Sequence, residues 1–184
     1  MKNRYYLMRH AESEPNLQGL IACDPEKSID KNGLTVKGRR QAQDSVQLFK
    51  PKASSKPIII SSDFLRAYET AQIAAKVFVT DVQLDPRLRE RNFGEFSGES
   101  VSNYEEVWAI SDKDPDATPY GAESARSVLD RVTDVIRDCE NRYVDKDIML
   151  VSHGDPLVIV YSYFQHGSLD KIVHHFSNAE IRPI

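Results

Sequence analysis

Short apolar runs that stop at polar clusters alternate along this chain with longer stretches of helical period. Strand-like runs lie near 4–8, 57–61, 81–84 and 147–152, with a last candidate near 171–176. Helical spacing of apolar residues covers 35–49, 63–78, 122–142 and 155–165. Thr35 is the expected N-cap of the first of these, which carries Val36, Ala42, Val46, Leu48 and Phe49. The alternation predicts an α/β fold: a three-layer α/β/α sandwich around a mainly parallel central sheet. A single domain over 1–184 is expected from the length. Two stretches break the alternation. Residues 11–33 are rich in Pro, Asn, Asp and Gly, and residues 91–121 hold Phe93, Phe96, Tyr104, Trp108 and Tyr120. Long connections of this kind in α/β domains are often functional loops, so 91–121 is expected to act as a lid. Trp108 is expected in a satellite core beneath it.

Three of the strands end in residues that suit an anion. The first runs Leu7-Met8 into Arg9-His10-Ala11-Glu12, and the fourth runs Leu150-Val151 into Ser152-His153-Gly154. Open α/β sheets bind ligands just beyond the carboxyl ends of their strands, which would bring His10 and His153 together. The run Ile58-Ile59-Ile60 ends at Ser61-Ser62-Asp63, and a helix begins at once, placing Arg66 in its first turn. A cation there opposes the helix dipole unless an anion is close.

Composition narrows the class of partner. The 184 residues are 40% hydrophobic and 28% charged, with a net charge of −4. That balance gives no general attraction to nucleic acid or an anionic membrane, and no apolar run approaches a membrane span. The opening Met1-Lys2-Asn3-Arg4 leads straight into a strand, so no signal peptide is expected. Cys23 and Cys139 lack metal or redox spacing. A cytoplasmic location follows as the expectation; oligomeric state is left open.

Arg9, His10, Arg66 and His153 form a cluster with a definite chemistry. Two guanidiniums match the oxygens of a phosphoryl group. A neutral imidazole attacks phosphorus well, and adjacent cations keep one histidine deprotonated. The other can donate to the same oxygens. Phosphoryl transfer asks mainly for positioning and charge neutralisation, which this set offers with no metal and no cofactor. A metal centre would need more carboxylates or a third histidine. His166 reads as a core residue, and His174 and His175 as structural or exposed. An acid is still needed for the departing oxygen. On spacing alone Glu90, Glu12 and Asp155 are equal candidates.

The same residues carry a resemblance. Arg9-His10-Ala11-Glu12 with Asn16, Ser61-Ser62-Asp63 through Arg66-Ala67 and Thr70-Ala71, Leu88-Arg89-Glu90-Arg91 with Gly94 and Gly98, Gly121-Ala122-Glu123-Ser124, and Ser152-His153-Gly154 together resemble the histidine phosphatase superfamily, in its phosphoglycerate-mutase-like branch. Gly33-Leu34-Thr35 with Gly38 and Gln41-Ala42 resembles the start of that family's first long helix. The resemblance implies that His10 is the nucleophile that becomes phosphohistidine. It places Arg9, Asn16, Arg66 and His153 on the phosphate and makes Glu90 the proton donor. Two departures stand out: Ala11 replaces the usual glycine, and Cys23-Asp24-Pro25-Glu26-Lys27 occupies the connection before Leu34.

The resemblance covers both hydrolases and mutases. From Asn92 to Ala125 the chain has eight acidic residues, Glu95, Glu99, Glu105, Glu106, Asp112, Asp114, Asp116 and Glu123, against the single basic Lys113. A lid of that charge would repel a second anionic group on the substrate. The expectation is therefore a metal-independent phosphomonoester hydrolase for a small phosphorylated metabolite. A phosphoglycerate mutase, a phosphohistidine-protein phosphatase and a non-catalytic binder of phosphorylated ligands are the alternatives.

Overall fold

The computed structural model describes residues 1–50, 56–172 and 175–184. The central sheet has the order β3-β2-β4-β1-β5, built from β1 (Arg4–Arg9), β2 (Ile58–Ser61), β3 (Val82–Leu84), β4 (Asp147–Ser152) and β5 (Ile181–Pro183). The first four strands are mutually parallel, and β5 runs antiparallel to β1. β4 sits in the middle and is buried at all six positions. Alternate residues of the sheet feed two cores, as the two-residue period of a strand requires. Tyr5, Leu7, Ile148 and Leu150 face α6 (Ala125–Arg142) and α7 (Gly154–His166). Met8, Ile59, Met149 and Val151 face α3 (Val36–Phe49) and α4 (Leu65–Phe78). The three layers are those expected.

The expected last strand near 171–176 is not one. Residues 171–172 and 175–176 have no strand pairing, and 173–174, His174 included, lie outside the described residues. The sheet is closed instead by Ile181–Pro183, a three-residue edge strand too short and too mixed in polarity to give a periodic signal. The helices hold to within a few residues. Thr35 caps α3 through its side chain, which accepts from the Gly38 N–H at 2.9 Å. Ser124 caps α6 in the same way.

The two irregular stretches fold onto each other. The first contains α1 (Glu14–Gln18) and α2 (Pro25–Ser28), and the second contains α5 (Tyr104–Ser111). Backbone bonds join Ile21 N–H to Glu99 O (2.8 Å), Gly98 N–H to Ile21 O (2.8 Å) and Val101 N–H to Gly19 O (2.9 Å). Ile21, Cys23, Phe93, Val107 and Ala122 form a small core between them, with Phe96 and Tyr104 at its margin. Among the described residues no helix is long and apolar enough to cross a membrane.

Gly38 shows how tightly the first stretch is seated. A Cβ built there would lie 1.9 Å from the carbonyl oxygen of Glu12, a backbone atom that cannot swing aside. Gly38→Ala is expected to lower the unfolding free energy by about 1–3 kcal/mol. Urea unfolding measures it; a variant as stable as the parent would show that the Glu12 backbone yields freely.

Candidate active site

The carboxyl ends of β1, β2 and β4 deliver the site. Arg9 ends β1, His10 follows it, and Ala179 N–H bonds the His10 carbonyl at 3.2 Å. His153 is the N-cap of α7, one residue past β4. Arg66 lies in the first turn of α4, fully within the protein at 3% exposure. His10 and His153 are brought side by side, with ring centroids 5.1 Å apart.

The hydrogen bonds of His10 fix its tautomer. Its Nδ1 lies 2.8 Å from the carbonyl oxygen of Ala11, which can only accept, so Nδ1 carries the ring proton. Nε2 is left with its lone pair and accepts from Nε–H of Arg66 at 3.2 Å. Burial holds His10 well below the ordinary histidine range; Arg66 and then Arg9 add to that, and the Ala11 bond opposes it. The imidazole is therefore neutral and nucleophilic across the physiological range.

His153 is arranged to donate. Its Nε2 lies 2.9 Å from Oγ of Ser62, which itself accepts from Phe64 N–H at 3.2 Å. With the Ser62 hydroxyl donating its hydrogen bond to Nε2, the one ring proton of neutral His153 sits on Nδ1. That Nδ1 is buried without a partner, as are Nε of Arg9 and Nη1 of Arg66. Orphaned buried donors are uncommon, and these three belong to the residues clustered at His10, where an oxyanion could take them. Burial pushes the Arg66 guanidinium down to about 10, with Arg9 adding and Glu90 opposing, so it keeps its charge at neutral pH. Nη2 of Arg66 is anchored on the Ala22 carbonyl (2.7 Å) and Nη1 of Arg9 on that of Phe176. Both guanidiniums are thereby held while a face of each stays available.

Glu90 lies beside this cluster, half-buried, with Oε1 accepting the Arg91 N–H at 3.0 Å. Its carboxyl is pushed up to about 7, first by burial and then by the neighbouring Asp155, against the pull of Arg66 and Arg9. Glu12 is placed elsewhere: its oxygens accept from Thr35 (2.8 Å) and Lys37 (2.7 Å). Asn16 is one link from the nucleophile. Its Oδ1 accepts from Ser13 N–H (3.1 Å) and from Nδ2 of Asn178 (3.2 Å), and the same Nδ2 reaches the His10 carbonyl. Only the amide NH2 of Asn16 is left to meet an oxyanion.

Several residues at the site gave no sequence signal. Phe64 underlies it, with its ring centroid 5.3 Å from the Arg66 guanidinium carbon and 5.3 Å from the His153 ring. Asn178 comes from a stretch without periodicity, and Phe176 ends a run read as a strand but itself lies in a loop. Trp108, expected in a satellite core, instead joins Tyr104 in a stacked pair lining a cavity of about 80 Å³ with Arg9, Glu90 and Asp155. His166, expected in the core, is exposed at the end of α7. Among the described residues no group of three or more His, Cys, Asp or Glu side chains could hold a metal ion.

A family model for the histidine phosphatase superfamily, branch 1, matches residues 5–184. The chain belongs to that superfamily. A protein of Photorhabdus laumondii named "Probable phosphoglycerate mutase GpmB" is 35% identical over 156 residues, 81% of this chain and 68% of that protein. A mycobacterial glucosyl-3-phosphoglycerate phosphatase superposes with a TM-score of 0.81 at 21% identity, over 98% of this chain and 91% of its own. A phosphoserine phosphatase of Entamoeba histolytica superposes at 0.76 with 25% identity, over 98% and 89%.

The buried histidines predict an acid-sensitive fold. His10 and His153 have folded values below the unfolded value of about 6.5, so the unfolded chain binds extra protons as pH falls and stability is lost. Glu90, raised in the folded state, acts in the opposite sense between pH 7 and about 4.5. Two imidazoles against one carboxyl leave a net fall of roughly 1.4 kcal/mol per unit between pH 6 and 5 from these groups. Urea unfolding at several pH values should show it, and His10→Gln should flatten the slope. A slope unchanged in that variant would mean His10 protonates without cost.

Proposed function

We propose that this protein hydrolyses phosphomonoesters of small metabolites through a phosphohistidine on His10, without a metal ion. One observation carries the reading: the Nε2 lone pair of His10 faces Arg66 Nε–H at 3.2 Å with the His153 ring 5.1 Å away, and buried N–H donors of Arg9, Arg66 and His153 have no partner within the protein. An incoming phosphate dianion takes those donors, and Arg66 Nε–H is drawn from Nε2 to a phosphate oxygen. His10 Nε2 then attacks phosphorus as the ester oxygen departs. The developing charge is met by donors already in place, which is where an enzyme gains most. Asn16 adds its amide donor. Glu90, protonated near neutral pH, gives its proton to the leaving oxygen and afterwards takes one from the water that attacks the phosphohistidine. A divalent cation would be repelled by the paired guanidiniums. In this reading residues 1–184 work as one unit, and 91–121 covers the site.

Hydrolysis is favoured over mutase chemistry, but by a different argument from lid charge. Glu95, Glu99, Glu105, Glu106, Asp112, Asp114 and Asp116 point outward and are exposed or half-exposed, so they do not line the pocket. Glu123 does line it, and is paired with Arg131 at 2.8 Å. What matters is that the cations near the pocket are already engaged. Arg89 forks onto Asp63, and Arg131 is bound to Glu123 and to the carbonyls of Arg87 and Arg89. Arg91 is buried against Asp155. Arg89, Arg91 and Arg131 are thereby committed to partners within the protein and are not available to the second anionic group that a phosphoglycerate mutase must grip. The mutase reading is favoured by the 35% identity to the GpmB relative and is the alternative to test.

Purified protein should release phosphate from alkyl and aryl phosphomonoesters with a chelator present, and His10→Ala should abolish it. Arg66→Lys should be impaired and Arg66→Ala more so, by about 2–4 kcal/mol in kcat/KM. Full activity in His10→Ala, or loss of activity to the chelator, would contradict the mechanism. Turnover of 3-phosphoglycerate to its isomer at a rate matching hydrolysis would transfer the assignment to the mutases.

A further inference from the structure

Asp155 is a buried carboxylate that the mechanism above does not use. It lies in the first turn of α7, two residues after His153, at 5% exposure. Both its oxygens accept from Nε1–H of Trp108, at 3.0 and 3.1 Å, and Oδ2 pairs with Nη1 of Arg91 at 3.3 Å. Arg91 is itself 1% exposed and reaches Oγ of Ser111 (2.7 Å) and the carbonyl of Glu123 (2.7 Å). The N-terminal dipole of α7 favours a negative charge at this position. Asp155 is thus pinned from two directions by the 91–121 stretch, and it shares a small cavity with Glu90.

The groups around Glu90 come from several elements. Arg9 approaches from β1, Arg66 from α4, Tyr104 from α5, Asp155 from α7 and Cys23 from the first irregular stretch. On its other side Arg131 of α6 bonds the Glu90 carbonyl at 3.4 Å, and Arg131, its partner Glu123 and the Asp63-bound Arg89 line a cavity with Glu90. Glu123 and Asp63 are spent on Arg131 and Arg89, so the carboxylate set against Arg9 and Arg66 beside Glu90 is Asp155.

Resting on the phosphatase reading, we propose that Asp155 is a positioning residue that acts through Glu90: its pinned carboxylate opposes ionisation of Glu90 and keeps the proton available for the leaving oxygen. Two like charges sharing a poorly solvated cavity cannot both ionise freely. The guanidiniums that bind phosphate would otherwise draw Glu90 into its ionised, useless form. Arg91 and Trp108 hold Asp155 in place, so the closed position of the 91–121 stretch and the protonation of Glu90 depend on the same contacts.

The test is the pH dependence of kcat/KM for two substrates, an alkyl phosphate that needs an acid and p-nitrophenyl phosphate that does not. In the parent, the ratio of alkyl to aryl kcat/KM should fall as pH rises through Glu90's titration near 7. Glu90→Gln should abolish that pH dependence of the ratio. Asp155→Asn should move the fall about one pH unit lower, a roughly tenfold loss of the alkyl reaction on the alkaline side. Its p-nitrophenyl phosphate reaction should stay within about twofold of the parent. Because Asp155→Asn leaves Arg91 buried without its partner, Arg91→Gln with Asp155→Asn is made alongside it, replacing the ion pair by a neutral one. The same downward movement is expected. Equal loss on both substrates with the fall unmoved would make Asp155 a strut only, and overturn the proposal. Infrared titration of the parent gives a reading independent of folding in the variants: a Glu90 carboxyl band, assigned by its loss in Glu90→Gln, should persist at pH 6, and an ionised Glu90 there would also overturn it. A parent inactive on both substrates, or an active His10→Ala, would instead sink the phosphatase reading and this inference with it.

Discussion

The structure is organised around positive charge that it buries without neutralising. Arg66 is almost wholly enclosed, yet its N–H groups meet a carbonyl and an imidazole in place of a carboxylate. Arg9 beside it is anchored on another carbonyl. Burying a cation this way costs several kcal/mol, because neither bulk water nor a counter-ion compensates it. The fold supports that cost with rigid surroundings: the Phe64 ring under Arg66, the Arg89–Asp63 fork at its flank and the central strands that end at His10 and His153. A dianion entering the pocket recovers what folding gave up. The same charges that make the pocket costly hold His10 neutral, so one constraint yields both the binding site and the nucleophile.

The second constraint is the packing of two irregular stretches onto each other beside the His10 cluster. Neither has much regular structure, but backbone bonds between Ile21 and 98–99, with the small core around Phe93 and Val107, make them one cover. The cover touches the catalytic layer at the Ala22 carbonyl on Arg66, at Tyr104 and Trp108, and at Arg91 on Asp155. On the proposed mechanism the packing of these stretches and the acid–base chemistry are mechanically linked, so a change in 91–121 should be felt at Glu90.

Much of this was legible in the sequence, for physical reasons. β4 reads as a strand because every residue is buried between two helical layers, and α6 reads as a helix because one face alone is. Arg66 announced itself by standing at the wrong end of a helix dipole. β5 gave no signal because three edge residues carry no period. Trp108 looked like core because an aromatic in a loop usually is; its indole N–H found Asp155 only through a contact 47 residues away. Glu90 could not be separated from Asp155 or Glu12 by spacing, since what distinguishes them is their partners. Glu12 faces a lysine and a threonine, Asp155 an arginine and a tryptophan, while the Glu90 carboxyl accepts a backbone N–H and lies near Asp155, Arg66 and Arg9 without pairing to them among the described residues. The acidic residues of the lid misled for a related reason: sequence gives the sign of a charge but not the side of the chain it faces.

The central claim is that His10 forms a bond to phosphorus. Rapid quenching of the protein with a phosphomonoester, followed by mass spectrometry under alkaline conditions that preserve phosphoramidates, tests it directly. One phosphoryl group should appear on His10 during turnover, decay as substrate is exhausted, and be absent from His10→Ala. Turnover with no phosphoryl group on His10 at any time, or with the label on another residue, would contradict the account.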